Sequence, residues 1–147
     1  MELTIDKSQV YDDVAMNVSI VGRNLNDANG NSLYDKVRIQ DRDMDILSLF
    51  WSDAFGMLLE KLGNFITSST DGKIVLADDR RMNEAALSNL KTVITDYMVY
   101  SMTADWMKLK AVEYAGIYTT KSESLLASVL DIVHLKKEPN FKKINNQ

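Results

Sequence analysis

Apolar residues recur along this chain with two different periods. Val10, Val14, Val18, Val21 and Leu25 follow one another three or four residues apart. That is the stripe of an amphipathic helix, with Asp6 or Ser8 placed to cap it. Residues 24–35 are dense in Asn, Asp, Gly and Ser and predict a loop inside one domain. A second helix is predicted from Asp41 or Asp43 to Leu62, with acidic side chains favouring its start and Gly63 stopping it. Met44, Ile46, Leu47, Leu49, Phe50, Trp51, Phe55, Met57, Leu58 and Leu59 cover more than one of its faces. This helix therefore either lies centrally in a bundle or keeps surface for a partner.

The period then shortens. Phe65, Ile66 and Thr67, then Ile74, Val75 and Leu76, flank the pair Asp71 and Gly72, which is the signal of a β-hairpin. Two short strands alone are marginal in water, so this hairpin must pack on something. A third helix is predicted over 83–107, with Leu87, Leu90, Ile94, Tyr97 and Met98 buried. A fourth is predicted over 111–135, with Ala115, Tyr118, Leu125, Leu126, Val129, Ile132 and Val133 facing the core, and Pro139 forbids its continuation. The fold class is mainly α: a bundle of about four helices with a short β-hairpin insertion and an extended C-terminal tail. The helical domain spans 1–139, with the hairpin near 64–79, and the tail spans 140–147.

Composition supports a folded chain. Of 147 residues, 46% are hydrophobic and 26% charged, far from the signature of disorder, and the length suits one core. The absence of cysteine removes thiol catalysis, disulfides and thiolate metal sites. Glu2, Asp6 and Lys7 interrupt the N-terminus before any signal-like apolar run, and no stretch approaches the roughly 20 apolar residues of a membrane span, so a soluble protein inside a cell is expected. The net charge of −4 argues against a general nucleic-acid binder. It is unevenly spread: through Asp105 there are 10 basic and 17 acidic residues, and from Trp106 onward 7 basic and 4 acidic. An acidic body with a basic tail at Lys136, Lys137, Lys142 and Lys143 suits contact between copies or with another acidic surface.

Catalytic chemistry finds little support. His134 is the only histidine, which excludes sites needing two imidazoles. The paired carboxylates Asp12 and Asp13, Asp41 with Asp43 and Asp45, and Asp78 and Asp79 fall at helix starts and loop ends, where capping explains them. A calcium loop starting at Asp27 would need glycine where Ser32 stands and an acid where Arg38 stands. Phosphate-cradling and nucleophile-elbow motifs are absent from the sequence. No enzymatic activity, cofactor or metal is expected. Tyr97, Tyr100, Trp106, Tyr114 and Tyr118 gather about the junction of the last two helices, with Trp106 as the expected anchor of that corner.

Leu87, Leu90, Ile94, Tyr97 and Val99, then Trp106 and Leu109, then Ala115, Tyr118, Leu125, Leu126, Val129 and Leu130, and last Lys136, Lys137 and Pro139 form a pattern that resembles the small neck proteins encoded among tailed-phage and prophage structural genes. The resemblance covers about sixty residues. It implies a head-to-tail connector, or adaptor, docking under a portal as a ring of about a dozen copies, located in the neck of the virion and assembled in the host cytoplasm. It further implies portal or tail proteins as partners and a C-terminal arm that docks through Phe141, Ile144 and the lysines Lys136, Lys137, Lys142 and Lys143. The hairpin residues Ile74, Val75 and Leu76 would meet a neighbour or a tail component. The other reading is a small intracellular helical interaction module, a regulator or immunity-type protein, with an acidic binding face.

Overall fold

The computed structural model describes residues 1–77 and 82–134. The tail residues Lys136, Lys137, Phe141, Lys142, Lys143 and Ile144, the boundary near 139 and the pair Asp78 and Asp79 lie outside the described residues.

Helix α1, Lys7–Asn24, starts where Asp6 accepts a hydrogen bond from the Gln9 backbone N–H at 3.2 Å, and it buries Val10, Val14, Val18 and Gly22. The loop that follows is held by Asp27, whose carboxylate accepts from the backbone N–H groups of Asn29 and Asn31. It is shorter than the polar composition predicts, because the one-turn helix α2, Tyr34–Val37, begins inside it. Leu33 and Val37 are buried, and the absence of a side chain at Gly22 lets the α2 backbone approach. A Cβ at Gly22 would lie 2.8 Å from the Tyr34 Cα.

A short 3-10 turn, Asp41–Asp43, leads into α3, Met44–Leu62. Gln40 and Asp43 bond reciprocally across that turn, the Gln40 backbone N–H donating to Asp43 at 2.8 Å. Gly63, at φ 49°, ends the helix as expected. Leu47, Trp51, Ala54, Phe55, Leu58 and Leu62 form its buried face, while Met44, Leu49 and Met57 stay exposed. The apolar surplus on α3 is therefore surface. The central helix is α4, Glu84–Lys110, which begins at the Asn83 cap and buries residues around its circumference from Tyr97 to Met107. After a 3-10 turn, Val112–Tyr114, the last described helix α5, Ala115–His134, returns along α4.

The hairpin is present as β2, Ile66–Thr70, and β3, Lys73–Leu76, joined by Asp71 and by Gly72 at φ 75°. It is part of a three-stranded antiparallel sheet, because β1, Glu2–Thr4, pairs with the other side of β3 and sets Leu3 opposite Ile74. The third strand meets the stability requirement of an isolated hairpin. It also corrects the expected interface: β3 is the central strand, with Ile74 0% and Leu76 1% exposed, so those side chains belong to the core and only Val75 is half-buried. The free edges of the sheet are β1 and β2. Buried residues from all five helices and from β1 and β3 form one cluster, and the fold is mainly α.

Candidate interaction surfaces

The hairpin tip is fastened to the bundle by a charged and aromatic cluster. The Trp51 indole N–H donates to Asp71 at 2.7 Å, and Lys7 pairs with the same carboxylate at 3.2 Å. Lys7 also lies 5.4 Å from the Trp51 ring centroid and 5.8 Å from that of Tyr11. Phe55 stacks on Trp51 at 5.9 Å. The indole bond, and after it Lys7, hold the Asp71 carboxyl below the ordinary carboxylate range. With Trp51 1% exposed and the Ile5 N–H donating to the Gly72 carbonyl, this cluster secures the sheet on α1 and α3.

Trp106 is fully buried, as expected, but its indole N–H reaches the Val37 carbonyl at the end of α2. The last carbonyls of a helix have no partner within it, so α2 supplies an acceptor to an indole that has left water. Trp106 thus ties α2 to α4, while the α4–α5 packing includes the tilted pair Tyr100 and Tyr118, 6.1 Å apart. Nearby, Arg23 and Arg38 face the Tyr34 ring at 5.2 and 6.0 Å, and their bonds to its hydroxyl lower its pKa. Sequence spacing gives no sign of that trio, because the polar stretch 24–35 that predicts a loop runs into the start of α2.

Three of the open surfaces among the described residues bear exposed apolar side chains. A groove of about 390 Å³ runs between α3, α4 and α5, with Met57, Lys61, Ser101, Asp105, Glu123 and Leu126 among its lining. Burial raises the Asp105 pKa, partly opposed by Lys108 at 3.9 Å and reinforced by the like charge of Asp53. Tyr97, on the groove floor, donates its hydroxyl to the Ala54 carbonyl at 3.0 Å, and burial raises its pKa too. Both charge signs line this groove, with one perturbed carboxylate and a tyrosine committed to the backbone.

The second surface is a groove of about 220 Å³ between α1 and α4, lined by Asp13, Met16, Asn17, Asp96, Val99 and Tyr100. Met16 is 61% exposed, and Ile20, one turn further along the same face of α1, is 51% exposed. The third is the outer side of the α4–α5 corner, where Leu109, Val112 and Ile117 are exposed, Ile117 at 77%. Leu109 also shares a shallow depression with Phe50 of α3.

His134 is exposed at the end of α5, with its ring edge-to-face on Phe65 at 4.6 Å. Among the described residues no group of three or more acidic or histidine side chains is placed to hold a metal ion. No helix among them is long and apolar enough to cross a membrane. No family model matches this chain, and no curated protein or solved structure is similar to it at a significant level.

Proposed function

We propose that this chain is a structural adaptor that works through protein–protein contacts, as a head-to-tail connector ring between portal and tail in the virion neck. The observation that carries the reading is that one small chain displays more than one separate apolar surface, among them Met16 and Ile20 beside α4, and Leu109, Val112 and Ile117 at the α4–α5 corner. A closed ring of identical copies needs two different faces on each copy, one for each neighbour, whereas a two-fold dimer needs only one. Exposed large side chains in groups are what such contacts bury. The resemblance of the 87–139 region to phage neck proteins supplies the context, and the basic tail supplies the docking arm, with Phe141 and Ile144 as anchors and Lys136, Lys137, Lys142 and Lys143 as its charge.

The acidic groove at Asp13 and Asp96 favours a second reading, an interaction module that binds a basic partner as a monomer or dimer. Removing residues 140–147 tests the adaptor. The shortened chain should keep its helical circular dichroism and its melting temperature but lose assembly, since the five helices and the sheet supply one continuous buried core of their own. Unchanged assembly would show that the arm is not the lock.

A further inference from the structure

We infer that the groove between α1 and α4 is the receptor for the basic tail of a neighbouring copy, an inference that rests on the adaptor reading. Two complementarities carry it. The groove offers apolar contact at Met16, Val99 and Tyr100, extended along α1 by Ile20, and acidic contact at Asp13 and Asp96. Asp13 accepts a hydrogen bond from the Gln9 side-chain amide at 2.9 Å, and among the described residues neither Asp13 nor Asp96 takes part in an ion pair. The tail is its counterpart: Phe141 and Ile144 are apolar, and Lys136, Lys137, Lys142 and Lys143 stand against the single acid Glu138. The larger groove between α3, α4 and α5 fits such a segment less well, because Lys61 and Lys108 line it beside Asp105 and Glu123.

The last described residue is His134, which packs on Phe65 at the base of the hairpin. Thirteen residues follow it. Extended, they span roughly 40 Å, comparable to the length of α4 and enough to cross to an adjoining molecule. A donor tail at one place and a receptor groove at another make a heterologous contact, which propagates from copy to copy until it closes. An arm that orders on binding costs conformational entropy, which the apolar anchors must offset, while the lysines steer it to the acidic rim.

The chain has no cysteine, so engineered thiols report this contact cleanly. Asn17→Cys places a thiol in the groove, and Asn145→Cys places one in the tail without touching its apolar or basic residues. Mixing the two full-length variants under mild oxidation should give disulfide-linked pairs well above the yield from Lys61→Cys mixed with Asn145→Cys. Adding Asp13→Lys and Asp96→Lys to the groove variant should slow linking on the order of tenfold, and Lys142→Glu with Lys143→Glu in the tail variant should restore it. Linking no faster than the Lys61 control, or closure only within one chain when both thiols are on the same molecule, would overturn the inference. The adaptor reading is judged separately, by mass. Ring-sized species without the link overturn the tail–groove contact alone, and the link without ring-sized species supports that contact while contradicting the ring.

Discussion

Two tryptophans show how single residues fix this fold. Each carries an indole N–H into the interior, and each finds an acceptor far away in sequence: Asp71 for Trp51 and the Val37 carbonyl for Trp106. Asp71→Ala leaves the Trp51 N–H without its acceptor and should cost about 1–3 kcal/mol in urea unfolding, the penalty of an unsatisfied buried donor. Trp106→Phe keeps most of the ring but not the bond to α2 and should cost a similar amount. The two perturbed carboxylates act in opposite directions with pH. The Asp71 pKa is lowered on folding, so its contribution is present above the unfolded carboxylate pKa and is lost as pH falls through the folded value. The Asp105 pKa is raised by burial, so its neutral form favours the fold, an advantage present below the unfolded pKa and lost as pH rises through the folded one. Asp71→Asn should therefore flatten the acid limb of a stability–pH profile, whereas Asp105→Asn should stabilise the protein at neutral pH and make no difference in strong acid. The size of Trp106 marked it as an anchor, but its partner lies 69 residues away, and no local pattern encodes that pairing.

At the scale of elements, helices long enough to repeat their stripe were legible. The valines of α1, the acidic start and Gly63 stop of α3, and the Asn83 start of α4 all stand where the pattern places them. What periodicity missed was short. The segment around β1 alternates buried Leu3 and Ile5 with exposed Glu2, Thr4 and Asp6 over too few residues to be distinguished from chance, and α2 is a single turn in a polar stretch. Tertiary contact makes both: β1 through pairing with β3, α2 through the space left by Gly22 and the bond from Trp106. Glycine substitutions separate these causes. Gly22→Ala would set a Cβ 2.6 Å from Val37 Cγ2 and 2.8 Å from backbone at Tyr34, and should destabilise by about 1–3 kcal/mol. Gly56→Ala, in α3 with nothing within 4 Å of the added carbon, should stabilise by about 0.5–1 kcal/mol. Chemical denaturation of the two variants beside the parent chain reads both signs.

Across the whole molecule, α4 is the axis against which α1, α3 and α5 pack, and the sheet lies against the bundle through Leu3, Ile74 and Leu76. The apolar content of the sequence exceeded one helical face per helix, and the surplus is displayed in groups at α1, α3 and the α4–α5 corner. The resemblance to neck proteins places one expected contact on β3, at Ile74, Val75 and Leu76. A strand missing from that reading covers β3 and moves the available surfaces to the helices. The acidic body and basic tail were legible as counts of charge, but the groove that brings Asp13 and Asp96 beside Met16 needed the packing of α1 on α4.

The most direct test of the adaptor reading is the mass of the purified full-length chain by light scattering over a concentration series at low and at high salt. The account predicts a discrete ring-sized species at low salt that dissociates as salt screens the lysine–aspartate contacts. A monomer or a closed dimer at every concentration and salt would contradict it.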